Sequence, residues 1–406
     1  MPAKKKIAII GTVGLPAAYG GFETLTDHLV KQLGDHYDMT VYCSKKKYPK
    51  EERKKTYGNA RLKYTAFDAH GFQSFFYDSL SILNALFYAD MLLILGVTGA
   101  WMLPFIKLFT NKKIIVSIDG IEWKKDKRTR LTKWYFKWAE KMAIKYSHAD
   151  ISDNESVQDY TALRYGTLSN LIEYGANHTI AVKPTAANKE EFPFLAKPYA
   201  FKVCCIRPEN NIHIVLEAFS KMTKYKLVMI GNWKASVYGV TLWEQYKHFD
   251  NLALLDPIYD QHKLDVIRGN AYVYIHGHGA GGTNPSLVEA MYLGLPVITF
   301  DVSYNRSTTE NKAAYFTTAA DLIYIIQNTR IAELKEQSLL MKDVADRRYT
   351  WEIIAEKYDY LFHRVLRSKK KISVRPGVTT VPEKNLVGIG LGNMQSTSLF
   401  FEKDKV

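Results

Sequence analysis

Cysteine is scarce, with only Cys43, Cys204 and Cys205 in 406 residues. Two of the three are adjacent, so no disulfide framework is available and a reducing, cytoplasmic setting is expected. Long apolar runs are also missing. The best candidate, residues 91–106, is interrupted by Gly96, Gly99 and Pro104 and falls short of the roughly 20 residues a membrane span requires. A buried strand over residues 91–95 and a short helix are expected there instead. At the N-terminus three lysines precede Ile7-Ala8-Ile9-Ile10-Gly11, an apolar run too short for a signal peptide, which reads as a first strand. No G-x-G-x-x-G spacing follows it, which argues against a dinucleotide site. Zinc-finger spacing, a basic zipper and an RNA-binding signature are absent, and no nucleic-acid partner is expected.

What is present is an ordinary globular composition with an excess of positive charge. The formal net charge is +14. Residues 1–190 carry 28 Lys and Arg against 19 Asp and Glu, so the first half is the more basic and suits an anionic partner, either a membrane surface or a phosphorylated substrate. The length is generous for one domain and comfortable for two.

The clearest stretch is Gly281-Gly282-Thr283-Asn284-Pro285-Ser286-Leu287-Val288-Glu289-Ala290-Met291, which continues to Asp301. Thr283 or Asn284 can cap a helix, Pro285 fits its first position, Gly294 suits a left-handed stop, and Pro296 ends it. A β-rich run, residues 271–276, precedes the loop, so the unit is strand, glycine loop, helix, strand. Such a unit binds phosphate, because glycines let the backbone approach and the helix N-terminus presents free N–H groups. Glu289 falls one turn inside the helix, on the face of Pro285. It can accept hydrogen bonds from a ligand hydroxyl; the plainer alternative is a solvated helix carboxylate.

The same grammar recurs along the chain. Residues 7–10 open into a long loop with Gly20-Gly21 before a helical segment ending at Gly34; the glycine pair either admits a substrate to the backbone or makes a tight turn. Residues 39–43 and 61–67 read as strands, separated by a lysine-rich run that is a solvated loop by default. The strand at 113–118 delivers Asp119-Gly120-Ile121-Glu122-Trp123 to its carboxyl end, where ligands of open α/β sheets collect. Residues 130–145 form a basic, aromatic-rich helix with Trp134, Tyr135, Phe136 and Trp138, suited to the core or to a membrane interface. Ile151-Ser152-Asp153-Asn154 repeats the strand and polar turn. Beyond a linker at 181–200, strands are expected at 201–206 and 226–230, with a helix from 212 to 219. A strong amphipathic helix follows at 351–367, then a tail, 368–406, of no readable role. His276-Gly277-His278 lacks a third ligand, so a metal is not expected there.

Two doubly wound domains and a final long helix resemble the two-Rossmann, GT-B glycosyltransferases. The loop Gly20-Gly21-Phe22-Glu23, Asp119-Gly120-Ile121-Glu122-Trp123, Ile151-Ser152-Asp153-Asn154, Tyr174-Gly175-Ala176, Pro208-Glu209-Asn210-Asn211-Ile212-His213 and the Gly281 to Met291 segment together resemble bacterial rhamnosyltransferases of glycosyltransferase family 4. The likeness is to the polysaccharide β-1,4-rhamnosyltransferase type. It implies an α/β fold with a first domain at 1–180 on the acceptor side, a nucleotide-sugar domain at 201–350, a cleft between them, and a helix at 351–367 returning to the first. It also implies transfer of L-rhamnose from dTDP-L-rhamnose to a lipid-linked or oligosaccharide acceptor, with retention and with no metal or cofactor. The absence of an Asp-x-Asp motif agrees with the last point. The protein would act in the cytoplasm at the inner face of the membrane.

By the same resemblance Asp119 and Glu122 are catalytic candidates. Arg207, Gly281, Gly282, Thr283, Asn284, Ser286 and Glu289 bind the donor, and Gly20, Gly21, Trp123 and Asp153 line the acceptor side. The chain departs from the family at Gly281, where a Glu is usual, and at Cys205 and Asn210, where an Arg and a Lys usually bind the diphosphate. Arg207 is the expected substitute. A UDP-hexose donor and a non-catalytic partner of an assembly complex are the alternatives.

Overall fold

A computed structural model describes residues 3–17, 20–118 and 129–372. The chain divides into two compact units, residues 3–173 with 352–372, and residues 174–351. Each is built on a parallel sheet whose strands are apolar on both faces, as expected when helices cover both sides.

The first sheet contains β1 (Lys6–Ile10), β2 (Asp38–Ser44), β3 (Thr56–Tyr57), β4 (Ala60–Thr65), β5 (Met91–Leu95), β6 (Lys113–Ile118), β7 (Ala149–Ser152) and β8 (Asn170–Leu171). Their spatial order is β3-β4-β2-β1-β5-β6-β7-β8, parallel except for the β3–β4 hairpin. The order reverses between β1 and β5. Around the sheet lie α1 (Gly21–Leu33), α2 (Ser74–Leu86), α3 (Leu103–Phe109), α4 (Arg130–Tyr146) and α5 (Glu155–Tyr165). Ile10, Leu92, Ile94, Ile114 and Val116 meet Ile82, Leu103 and Ala139 in the core.

The second unit carries α6 (Ala186–Glu191), β9 (Tyr199–Val203), α7 (Ile212–Lys221), β10 (Lys226–Ile230), α8 (Val237–Tyr246), β11 (Leu252–Leu255), α9 (Gln261–Gly269) and β12 (Val273–His276). After these come α10 (Pro285–Tyr292), β13 (Val297–Phe300), α11 (Ser303–Thr308), β14 (Ala314–Phe316), α12 (Ala319–Asn328) and α13 (Ile331–Arg348). All six strands run parallel in the order β11-β10-β9-β12-β13-β14. Here the reversal falls between β9 and β12. The last helix, α14 (Trp351–Arg367), leaves the second unit at Trp351 and otherwise belongs to the first.

Three features differ from the sequence reading. The strand expected at 201–206 ends at Val203, so Cys204, Cys205 and Ile206 lie beyond the sheet in the connection to α7. Residues 181–200, expected as a linker, pack within the second unit: a Thr185–Asn188 capping box starts α6, the Val182 carbonyl accepts from Asn270 Nδ2 at 2.7 Å, and Phe194 meets Tyr199 edge to face. The first residues of the expected tail are anchored, with the Ile372 amide donating to the His148 carbonyl at 2.7 Å. No helix among the described residues is long and apolar enough to cross a membrane.

Candidate functional site

The glycine loop and α10 are shaped by their own residues. Asn284 caps the helix, its Oδ1 accepting from the Ser286 amide at 3.1 Å and from Ser286 Oγ at 2.7 Å. Tyr274 of β12 donates its hydroxyl to Ser286 Oγ at 2.8 Å, tying the strand to the first turn. Thr283 is buried beside this cap. Gly281 has φ +138°, and a Cβ there would sit 3.1 Å from His278 Nε2. At the other end the Leu295 amide bonds to the Ala290 carbonyl and the Gly294 amide to the Met291 carbonyl. With Gly294 at φ +69° this is a Schellman stop.

Glu289 is not the solvated carboxylate of the plainer alternative. Its Oε2 is bonded by Nη1 of Arg268, a guanidinium buried to 1 % exposure at the end of α9. Arg268 Nη2 also donates to Asp265 Oδ1 at 2.9 Å, which accepts from Gln261 Nε2 at the same distance. The second carboxylate oxygen, Oε1, lies 3.2 Å from His178 Nε2. The tautomer of His178 follows from its neighbour. The Trp351 indole N–H only donates, and it reaches His178 Nδ1 at 3.1 Å. Nδ1 is therefore the acceptor, and Nε2–H is left to donate to Glu289. Burial pushes the Glu289 carboxyl up, but Arg268 and His178 outweigh it and hold the carboxyl below its ordinary value. The result is an oriented anion, one turn inside α10, with lone pairs left on each oxygen for a ligand hydroxyl.

Sequence reasoning missed Arg268, Asp265 and His178. Their signals were faint: an acid and a base three apart on α9, and a histidine three residues beyond Gly175. Gly175 itself has a packing reason, since a Cβ there would lie 2.4 Å from the Trp351 ring. The segment leans on that indole, and Trp351 in turn takes the Asn177 Oδ1 on its backbone amide at 2.8 Å. Tyr174 packs edge to face on the same ring.

The remaining expected residues are scattered by comparison. Arg207 is exposed at the start of the turn after β9, its guanidinium 4.0 Å from Glu209. Cys205 is exposed and Asn210 buried, its Nδ2 donating to the Cys205 carbonyl at 2.6 Å. The His276 and His278 rings are 5.9 Å apart, and no group of three or more His, Cys, Asp or Glu able to hold a metal occurs among the described residues. In the first unit Gly20 has φ +131° and a Cβ on it would collide with the Glu23 carboxylate. That carboxylate accepts from Thr12 Oγ1 at 3.0 Å and from the Val13 amide at 2.6 Å, so Gly20 and Gly21 let α1 begin against the loop after β1. Asp153 is half-buried between β7 and α5, and its charge adds to burial in raising the Tyr358 phenol of α14. Asp119, Glu122 and Trp123 lie outside the described residues.

An open depression also runs past Lys226, Tyr272 and Pro296, at the amino ends of β10, β12 and β13. In parallel sheets ligands bind outside the carboxyl ends, so the Glu289 side is the candidate site.

Residues 4–177 match the family model described as a domain of unknown function (DUF1972), and residues 185–341 match glycosyl transferases group 1. A comparison with curated proteins finds no match. Among solved structures, sucrose-phosphate synthase from Thermosynechococcus elongatus superposes with a TM-score of 0.73 at 15 % identity, covering 89 % of this chain and 99 % of its own. Anabaena HepE in complex with UDP-glucose gives 0.68 at 12 %, covering 89 % and 100 %. A glycosyltransferase from Rickettsia africae gives 0.66 at 12 %, covering 90 % and 100 %. The fold is GT-B, two Rossmann-like units with parallel sheets.

Proposed function

We propose, from a GT-B chain whose second half matches the group 1 glycosyl transferases, that this protein moves a sugar from a nucleoside diphosphate donor to an acceptor hydroxyl. The observation that carries the reading is Glu289, fixed by Arg268 and His178 behind a glycine loop and a capped helix N-terminus. In the reaction the bond from the anomeric carbon to the diphosphate oxygen breaks and a bond to the acceptor oxygen forms. The hydroxyl proton leaves with the diphosphate or a nearby base. Positive charge grows on the sugar and negative charge on the leaving diphosphate. Gly281, Gly282, Thr283, Asn284 and Ser286 offset the second with backbone N–H groups and the α10 N-terminus, without a metal. Glu289 accepts a hydroxyl of the sugar nucleotide; with a deoxyribose nucleotide only the 3′-hydroxyl remains for that purpose. Asp119 and Glu122 keep the catalytic assignment, and Gly20, Gly21, Trp123 and Asp153 the acceptor side, on the sequence resemblance.

The same resemblance favours dTDP-L-rhamnose as donor and a lipid-linked or polysaccharide acceptor. A UDP-hexose is the second reading, favoured by the UDP-glucose seen in the HepE structure. A panel of nucleotide sugars assayed for transfer and hydrolysis decides between them: turnover of dTDP-L-rhamnose is expected, and turnover of UDP-glucose alone overturns that donor. Glu289→Ala is expected to weaken donor binding about tenfold or more, the loss of a charge-assisted hydrogen bond. Unchanged affinity removes Glu289 from the site. A purified protein that binds no nucleoside diphosphate favours a non-catalytic role.

The acceptor chemistry also favours a membrane surface. On α4, Leu131, Trp134 and Trp138 are exposed along one face, with Arg130, Lys133, Lys137, Lys141 and Lys145 on the same helix against Glu140. Apolar side chains interleaved with lysines suit an anionic bilayer.

A further inference from the structure

The two strands that flank the reversal of the second sheet end in basic side chains with no counter-charge. Lys202, next to last in β9, is 1 % exposed, and His276, last in β12, is 3 % exposed. β9 and β12 are neighbours, Phe201 pairing with Tyr274. Among the described residues no carboxylate faces Lys202; its titratable neighbours are the Cys204 thiol, which burial raises and keeps neutral, and the His276 ring. Nε2 of His276 is buried without a hydrogen-bond partner. Burial lowers both groups, and for His276 Lys202 and His278 lower it further.

Room for the ammonium has been made deliberately. A Cβ on Gly277, the residue after β12, would lie 2.9 Å from Lys202 Nζ and 2.4 Å from the Asn210 carbonyl oxygen. Any side chain there would push the lysine aside. Lys202 therefore ends against the backbone that leads through the glycine loop into α10. An ammonium on a residue this deeply buried, with no carboxylate beside it, is costly, and an apolar residue of the same shape would serve a purely structural role better. Such a group makes sense where a ligand brings the missing charge. The carboxyl ends of strands at a switch point are where ligands of open α/β sheets sit, and α10 supplies a helix N-terminus at the same end.

We infer that Lys202 and the neutral His276 form the floor of a diphosphate subsite, with Lys202 Nζ donating to a non-bridging oxygen of a nucleoside diphosphate. The inference rests on the reading that the second unit binds a nucleotide sugar, and it names the side chains that receive the leaving group. It also gives Gly277 a role, as the residue whose missing side chain admits the ammonium.

Calorimetric titration of the full-length protein with UDP, dTDP, the two nucleosides and inorganic pyrophosphate tests it, together with thermal melts. For Lys202→Met we expect at least a thirtyfold loss of affinity for the preferred nucleoside diphosphate, loss of pyrophosphate binding, unchanged nucleoside binding, and a melting temperature equal to or above that of the wild type. His276→Gln, a milder change, should lose affinity three- to tenfold and guards against a failure of the first variant to fold. Nucleoside diphosphate affinity unmoved by both substitutions overturns the subsite and leaves the proposed function standing. So does a lower melting temperature for Lys202→Met with affinity intact, which marks a structural lysine. A wild type that binds pyrophosphate through Lys202 but no nucleoside diphosphate overturns the proposed function and keeps the subsite. One that binds neither overturns both.

Discussion

At the scale of single residues, a half-buried acid and a fully buried one show how environment sets charge. Glu289 stays ionised because Arg268 is committed to it, and Arg268 is committed because Asp265 fixes its other arm. Removing one member of a buried pair strands the other, at about 3–5 kcal/mol. Arg268→Met should therefore destabilise the second unit by about 3 kcal/mol, read as a drop in melting temperature. Adding Glu289→Gln should restore part of it, since only the Asp265 carboxylate is then left without its guanidinium. A double variant no more stable than the single would contradict the coupling. Asp78 of α2 is the opposite case. Burial raises its carboxyl to about 8 against one opposing contact, the Gly99 backbone amide. The unfolded chain releases this proton near pH 4 and the folded chain near pH 8. Between those values the native state binds the extra proton, so its stability falls as pH rises, at up to about 1.4 kcal/mol per pH unit. Asp78→Asn removes the titration while keeping an acceptor for Gly99. Melts at pH 5 and pH 8 should show the wild type losing stability relative to the variant; parallel curves would mean that Asp78 does not titrate in this window.

At the scale of elements, helix α4 separates core from surface in an informative way. Tyr135 and Phe136 turn inward: Tyr135 stacks at an angle on Phe75 and Trp138, and its hydroxyl meets the Thr98 carbonyl at 2.5 Å. Phe75 continues the contact to Phe76, which in turn meets Phe72, 83 % exposed. Phe105, Leu108 and Phe109 of α3 are exposed as well, and α3 packs on α4. So many large apolar side chains on one unit exceed the scattered exposure normal for a surface. The anionic bilayer proposed above would satisfy both the aromatics and the lysines. Each lysine near such a surface contributes about 1 kcal/mol, so Lys133→Ala with Lys137→Ala should weaken binding to phosphatidylglycerol vesicles roughly thirtyfold. Trp134→Ser should weaken it with little change in salt dependence, whereas the lysine pair should flatten that dependence. Cosedimentation at two salt concentrations reads both, and a wild type indifferent to the vesicles dismisses the surface. Legibility differs at this scale for physical reasons. The α10 unit could be read because its cap, Pro285 and Gly294 act locally. Helix α2 could not, because Phe76, Leu80 and Leu83 are apolar yet exposed, which blurs the period a buried face would show. The strand after the expected linker read too long because Cys204-Cys205-Ile206 continues an apolar run past the point where pairing stops.

At the scale of the whole molecule, sequence order and structural order part company at α14. Both parallel sheets and their glycine loops were visible in the chain, since β-branched runs followed by polar turns are local signals. The partners of Glu289 were not, because Arg268 and His178 reach it only once α9 and the segment after Tyr174 have packed. Nor was it visible that residues 174–200 join the second unit, whereas the return of the last helix to the first was implied by the GT-B resemblance. Helix α14 buries Ile354, Tyr358, Leu361, Phe362 and Val365. Tyr37 donates to Asp359 at 2.8 Å and packs edge to face on Phe362. Lys357 pairs with Glu173, and Lys113 Nζ reaches the Ser368 carbonyl at 2.5 Å. A fragment ending at residue 173 therefore exposes a large apolar face that its own sequence cannot cover. The second unit is continuous in sequence and includes Trp351, which holds His178. Residues 174–351 expressed alone should melt cooperatively and retain nucleoside diphosphate binding. Residues 1–173 alone should aggregate or lack a cooperative melt, and a peptide of residues 352–372 added in trans should restore one. A cooperative melt of 1–173 without the peptide would show that α14 is an accessory to the first unit and not part of its core.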